Sequence, residues 1–197
     1  MIRVSVFNDM SACTDMEVER MVQSVPEPRR SQALAFKFKF GRFACLKSYL
    51  MLADLLEQEF GLKEFRIEVG KHGKPYLADH PEIHFNISHC QKAIAVVVAD
   101  QPVGIDVEAF RSASDSLIDK CMNAREKADI MASDSPEQTF IAYWTRKEAV
   151  FKLFGTGITD NLHDILSEKV ATDTTINPDL GYAISVAVYS KDSLGQS

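Results

Sequence analysis

The stretch Val103-Gly104-Ile105-Asp106-Val107-Glu108 decides how this sequence arranges its charged residues, because its apolar residues alternate in the manner of a strand. Side chains at positions i and i+2 of a strand lie on one face, so Asp106 and Glu108 present two carboxylates side by side. Two like charges this close favour a cation beside them. Glu148, about forty residues later in Trp144-Thr145-Arg146-Lys147-Glu148-Ala149-Val150-Phe151-Lys152, supplies a third oxygen ligand. The pattern predicts a site for a hard divalent cation that also contacts the phosphates of a ligand.

The composition is that of an ordinary globular protein, with 197 residues, 46% hydrophobic residues and a net charge of −6. The negative charge argues against a nucleic-acid binder. The longest uninterrupted apolar run, residues 93–99, is far shorter than the roughly 20 residues that span a bilayer. Residues 1–9 lack the pattern of a signal peptide. We therefore expect a cytoplasmic protein that has neither a membrane nor a nucleic-acid partner, and the four widely spaced cysteines favour free thiols.

Periodicity predicts an α+β fold in which helices and strands alternate in groups. The predicted helices cover 14–23, one or two segments within 29–60 that stop at Gly61, 116–131 with a break near Asn123, and 137–154 ended by Gly155 and Gly157. The predicted strands cover 1–9, 65–69, 84–89, 93–99, 103–108, 166–172 and 182–189, and we expect 84–89, 93–99 and 103–108 to form one central sheet. The order of strands and helices along the chain predicts two similar halves, 1–100 and 101–197.

The helix predicted at 137–154 carries apolar residues around most of its circumference, which indicates burial. Glu148 and Lys152 lie four residues apart on it. An ordinary helix salt bridge accounts for that spacing. Buried charges, however, are usually kept for a partner, and this favours a functional role for both side chains.

Four motifs occur together: Gly73-Lys74-Pro75, Phe85-Asn86-Ile87-Ser88-His89, Val103 to Glu108, and Trp144 to Lys152 followed by Gly155-Thr156-Gly157-Ile158. Their order and spacing resemble those of the 4′-phosphopantetheinyl transferases. Over residues of about 26 to 165 the chain resembles the larger, surfactin-synthetase-activating type of this family. The resemblance implies a pseudo-dimer, in which two α/β halves related by a pseudo-twofold axis bind coenzyme A in the cleft between them.

The resemblance also implies an activity, that of a 4′-phosphopantetheinyl transferase or holo-acyl-carrier-protein synthase. Such an enzyme moves the phosphopantetheine arm of coenzyme A to a serine of an apo acyl or peptidyl carrier protein, with Mg²⁺, and releases adenosine 3′,5′-bisphosphate. Asp106, Glu108 and Glu148 match the family's metal ligands. Glu148 also matches the base on the carrier serine, acting directly or through water, and Lys152 matches the group that stabilises charge on the transferring phosphate.

Four further residues match coenzyme A contacts of the family: Arg42, Lys74, Ser88 and His89, with the histidine at the nucleotide's 3′-phosphate. Arg30 aligns only loosely with a basic residue of the family. An ordinary solvated helix face accounts equally well for Arg30, Lys37 and Lys39. Glu126 either orients Lys152 or caps its own helix, and the sequence leaves both open.

Two other functions fit parts of the pattern. One is a module that binds coenzyme A or a nucleotide without transferase chemistry, and the intact carboxylates and Lys152 argue against it. The other is a metal-dependent phosphodiesterase or nuclease, and the net charge argues against it. Because both halves lie in one chain, we expect a functional monomer. The carrier is expected to dock on the helices near 29–42 or near 121–127.

Overall fold

The computed structural model describes residues 1–155, 162–167 and 169–190. These residues form six α-helices and eight β-strands arranged in antiparallel sheets. The helices are α1 (Asp15–Gln23), α2 (Glu27–Leu34), α3 (Lys39–Phe60), α4 (Asp115–Cys121), α5 (Ala124–Ala132) and α6 (Pro136–Phe154). The strands are β1 (Ile2–Phe7), β2 (Ile67–Val69), β3 (Pro75–Leu77), β4 (His84–His89), β5 (Ile94–Ala99), β6 (Val103–Ala109), β7 (Val170–Asn177) and β8 (Tyr182–Tyr189).

The N-terminal sheet has the strand order β1-β5-β4, and β2 pairs with β3 in a separate hairpin. Helix α3 packs on β5 and ends at Gly61, whose positive φ of 67° closes the last turn. The core between them contains Phe43, Leu46, Leu52, Leu56, Val96 and Val98. Burial of these side chains holds the helix against the sheet.

The C-terminal sheet has the order β6-β8-β7, and α6 packs across its face. Helix α6 begins after Ser135 with Pro136 in its first turn and ends at Gly155, which has a φ of 68°. Its apolar residues Phe140, Ile141, Val150 and Phe151 are buried in a second core with Ile130 and Ala187. This packing fixes the helix that carries Glu148 and Lys152.

A third apolar cluster joins the two sheets. Strand β5 is buried on both faces: Ile94, Val96 and Val98 face the first core, whereas Ala95, Val97 and Ala99, with Ala93 just before the strand, pack with residues of β6 and β8. The partners of this second face are Val103, Ile105, Val107, Tyr182 and Ile184. Burial on both sides explains why residues 93–99 read as an uninterrupted apolar run.

The α+β class and most predicted elements are confirmed, including the stop at Gly61 and the break near Asn123. The prediction that 84–89, 93–99 and 103–108 form one central sheet was wrong, because β4 and β5 belong to one sheet whereas β6 pairs with β8 in another. The strand predicted at 166–172 begins only at Val170, after a turn in which Val170 N donates to Ser167 O. The predicted helix stop at Gly157 lies outside the described residues. Among the helices that the structure describes, none is both long and apolar enough to cross a membrane.

Candidate active site

Strand β6 and helix α6 meet at Gly104. A Cβ atom on this residue would lie 2.0 Å from Ala149 O and 2.5 Å from Leu153 N, both of them backbone atoms of α6. Only glycine permits such an approach, which brings the polar residues of α6 to those of β6. The sequence motif includes Gly104 but did not predict this contact, although a glycine inside a predicted strand often marks a close backbone approach.

Asp106 of β6 is linked to α6 and to β4 by one hydrogen-bond network. Lys152 Nζ lies 2.7 Å from Asp106 Oδ1 and 2.8 Å from Ser88 Oγ. The Ser88 hydroxyl donates to the same Asp106 oxygen at 2.8 Å and accepts a bond from Val107 N at 3.3 Å. The structure therefore brings together three of the predicted site residues, which lie on three different elements.

The second oxygen of Asp106, Oδ2, is buried and has no hydrogen-bond partner within the described part of the chain. An unpaired buried carboxylate oxygen is costly, and a metal ion is one partner that satisfies it. Burial raises the pKa of Glu108, and the charge of Asp106 raises it further. Burial also raises the pKa of Glu148, and Asp106 and Glu108 add to the effect. This mutual repulsion is what a shared cation relieves.

The donor set therefore fits a hard cation in its chemistry. In residues 1–155, 162–167 and 169–190, however, no three His, Cys, Asp or Glu side chains converge tightly enough to enclose a metal ion. The cation in contact with Asp106 is the ammonium group of Lys152. Glu108 and Glu148 are both half-buried, so a rotation of either side chain changes the distance between their carboxylates.

His89 is exposed at the end of β4, and its ring meets Phe40 edge-on at 5.8 Å between centroids. Neighbouring protein atoms displace water from the ring and so lower the pKa of His89, and the positive charge of Lys152 lowers this pKa further. At neutral pH the imidazole is therefore largely uncharged and offers one ring N–H donor. It lines a cavity of about 450 Å³, together with Arg29, Phe36 and Tyr49.

Lys74 lies in a second cavity, of about 320 Å³, whose wall also contains Asn86, Glu148 and Lys152. Its Nζ donates to Val103 O at 3.1 Å and to Leu153 O at 3.0 Å. Burial lowers the pKa of Lys74 to about 8. The two hydrogen bonds to Val103 O and Leu153 O use two of the three N–H groups of the ammonium inside the protein. Gly73, Pro75 and Ile87 line both cavities, so the two spaces adjoin.

The predicted basic cluster divides into residues with different contacts. Arg42 donates from Nε to Phe36 O at 2.9 Å and is not among the described residues that line the two cavities. Arg30 bonds to Val22 O and Val25 O, so its role is local. Arg29 lines the larger cavity, with its guanidinium 5.0 Å from the centre of the Tyr49 ring.

Glu126 forms a capping box with Asn123 at the start of α5, and its Oε2 lies 2.7 Å from Lys147 Nζ. The capping alternative is confirmed, and the partner of Glu126 is Lys147 rather than Lys152. Lys147 is 0% exposed and also donates to Leu162 O at 2.6 Å. The sequence reasoning missed this buried pair. The available signal was a lysine on a helix predicted to be apolar around most of its circumference.

A model of the 4′-phosphopantetheinyl transferase superfamily matches residues 102–192, which include every carboxylate of the site and Lys152. The 4′-phosphopantetheinyl transferase Sfp of Bacillus subtilis is 27% identical over 168 residues, which are 83% of this chain and 75% of that protein. The 4′-phosphopantetheinyl transferase HetI of Nostoc sp. is 35% identical over 141 residues, which are 68% of this chain and 55% of that protein. By these matches the chain is similar to the 4′-phosphopantetheinyl transferase superfamily over its C-terminal half and to the transferase Sfp over most of its length.

Proposed function

We propose that this protein transfers the 4′-phosphopantetheine arm of coenzyme A to a serine of an apo carrier protein in a magnesium-dependent reaction, and releases adenosine 3′,5′-bisphosphate. The main support is Asp106, whose Oδ1 is held by Lys152 and Ser88 while its buried Oδ2 has no bond from any described residue. The names of similar proteins, such as Sfp and HetI, support the same reaction.

Asp106, Glu108 and Glu148 would hold Mg²⁺. When bound, the ion would neutralise negative charge on the pyrophosphate of coenzyme A. Burial and, after it, the like charges of neighbouring carboxylates raise the pKa values of Glu108 and Glu148, and this repulsion supports the assignment. Neighbouring carboxylates without a cation between them repel one another.

Lys152 is the group that stabilises charge on the transferring phosphate, and Glu148 is the base that takes the proton of the carrier serine. Lys152 is half-buried, so water screens its ammonium less than that of an exposed lysine. The raised pKa of Glu148 in the metal-free protein supports the second role, whereas a bound Mg²⁺ would lower the proton affinity of this carboxylate, so its ligation and its basicity compete. A Glu148→Gln variant that keeps the acidic limb of the wild-type pH–rate profile would remove Glu148 from this role.

Coenzyme A binds in the adjoining cavities between residues 1–100 and 101–197, which form two halves related by a pseudo-twofold axis. A long helix packed on a three-stranded antiparallel sheet in each half supports this arrangement. His89 and Lys74 line these cavities, which supports their assignment as coenzyme A contacts. Arg42 and Ser88 remain contacts by resemblance, although their hydrogen bonds are made inside the protein. The protein acts as a cytoplasmic monomer.

The test is to incubate the protein with coenzyme A, Mg²⁺ and a panel of apo acyl and peptidyl carrier proteins, and to measure intact carrier masses. We expect a gain of one phosphopantetheine that disappears with a chelator and with Asp106→Ala. Coenzyme A binding without a mass gain on any carrier would indicate a binding module. Adenosine 3′,5′-bisphosphate released without a carrier would indicate a phosphodiesterase.

A further inference from the structure

Strand β6 has two edges, and among the strands that the structure describes, β8 pairs with one of them. The other edge faces β4, with which β6 shares no strand pairing. Three backbone groups on this edge belong to the alternate residues Val103, Ile105 and Val107. Alternate residues of a strand direct their N–H and C=O groups to the same edge, so these three groups need partners there.

Each of these groups is bonded to a side chain from the first hundred residues. Lys74 Nζ donates to Val103 O at 3.1 Å, Asn86 Oδ1 accepts from Ile105 N at 3.0 Å, and Ser88 Oγ accepts from Val107 N at 3.3 Å. We call Lys74, Asn86 and Ser88 the edge residues. They replace the backbone ladder that a neighbouring strand would provide.

Asn86 and Ser88 are two positions apart on β4, so their side chains leave the strand on the same face. They are only 4% and 6% exposed. A buried N–H without an acceptor is costly, so the position of β6 that satisfies both amides is strongly favoured. The two side chains therefore fix both the distance of β6 from β4 and its position along it.

This position matters because Asp106 lies between the two bonded amides. The Ser88 hydroxyl has one donor and two acceptor sites. The donor goes to Asp106 Oδ1, and the acceptors receive Val107 N and Lys152 Nζ. All three sites are used, so Ser88 can bind a ligand only by giving up one of these bonds.

We propose that Asn86 and Ser88 are positioning residues that fix β6 so that Asp106 and Lys152 take up their working geometry. The proposal rests on the proposed transferase function and deepens it, because it assigns the Phe85-Asn86-Ile87-Ser88-His89 motif two roles in assembling the site. Asn86 acts through the backbone of Ile105, and Ser88 acts through Asp106 and Lys152.

The kinetic test compares Asn86→Ala and Ser88→Ala with the wild type. Displacement of reacting groups lowers the rate of the chemical step, so we expect kcat to fall on the order of tenfold or more. The dissociation constant for coenzyme A, measured by calorimetry, should stay within about twofold in Asn86→Ala, and in Ser88→Ala any loss of affinity should be smaller than the fall in kcat. Ser185→Ala is the matched control, because it removes a buried hydroxyl from the strand on the other edge of β6, where Ser185 bonds to Thr145 and Thr174. Its kcat should be close to that of the wild type.

Hydrogen exchange measured by NMR tests the geometry without any activity. Asn86→Ala should speed exchange of the Ile105 amide, and Ser88→Ala that of the Val107 amide, each on the order of tenfold, while amides of β5 keep their protection. Unchanged exchange at both amides, or a kcat within twofold of the wild type in both variants, would overturn the proposal. So would a coenzyme A affinity loss that accounts for the whole defect of Ser88→Ala. A wild type that modifies no carrier would instead refute the proposed function, and the exchange result would still stand.

Discussion

Replacing Gly104 by alanine is the most direct test of how the site is assembled. The added Cβ would lie 2.0 Å from Ala149 O and 2.5 Å from Leu153 N, whereas real Cβ atoms essentially never approach other atoms within 3.0 Å. Because both obstructing atoms belong to the backbone of α6, no side-chain rotation relieves the overlap. Strand β6 and helix α6 must therefore move apart by about 1 Å.

This displacement has consequences for stability and for rate. Overpacking costs about 1 to 3 kcal/mol, and a clash between two backbones belongs at the upper end of that range. A loss of about 3 kcal/mol lowers Tm by roughly 6 to 12 °C in a protein of this size. The contact between Lys152 Nζ and Asp106 Oδ1, now 2.7 Å, would exceed hydrogen-bond length after a 1 Å separation. A misplacement of that size lowers kcat by about 100-fold.

The assay combines thermal unfolding with carrier modification measured well below Tm, so that loss of folded protein does not mimic loss of rate. Gly70→Ala is the matched control, because its Cβ would meet Lys74 O at 3.4 Å, an ordinary contact distance. We expect this control to change stability by no more than about 0.5 kcal/mol. A Gly104→Ala protein with the Tm and kcat of the wild type would refute the close approach of β6 and α6.

Three further predictions concern charged groups. Burial lowers the pKa of Lys74 to about 8, so the charged form of this side chain destabilises the fold at neutral pH. In chemical denaturation, the difference in free energy of unfolding between the wild type and Lys74→Met should therefore rise by about 1 to 2 kcal/mol from pH 8 to pH 10, and a flat difference would contradict this. Because the pKa of Glu108 is raised, the ionised form of this side chain is unfavourable in the fold, and Glu108→Gln should raise the Tm of the metal-free protein at pH 7 but not at pH 4. The same variant should abolish magnesium-dependent transfer, and a lower Tm at pH 7 would count against the repulsion. Lys147→Met should lower the free energy of unfolding by about 3 to 5 kcal/mol, because it leaves the Glu126 carboxylate buried without its ion-pair partner. In a double-mutant cycle, adding Glu126→Gln should recover much of that loss, whereas additive losses would show that the two side chains are not coupled.

Local sequence patterns predicted the elements well, because their boundaries depend on residues close in the chain. Gly61 ends α3 with a positive φ, and Asn123 starts α5 with a capping box, as their residue types favour. The strands at 84–89, 93–99 and 103–108 were also placed well, but their assignment to one sheet failed. Whether β6 pairs with β4 or with β8 depends on a strand eighty residues away, and periodicity carries no information about that choice.

The sequence by itself determined the chemical inventory of the site: the carboxylates of Asp106, Glu108 and Glu148, and the ammonium of Lys152, each on a regular element with a predictable face. Only the tertiary structure decided which partners these groups meet. It bonds Lys152 to Asp106 and Ser88, pairs Glu126 with Lys147, and directs Lys74 to two backbone carbonyls. The reason is that hydrogen bonds between distant residues depend on how closely helices and sheets pack. Here that distance is set by the missing side chain of Gly104 and by the edge residues Asn86 and Ser88.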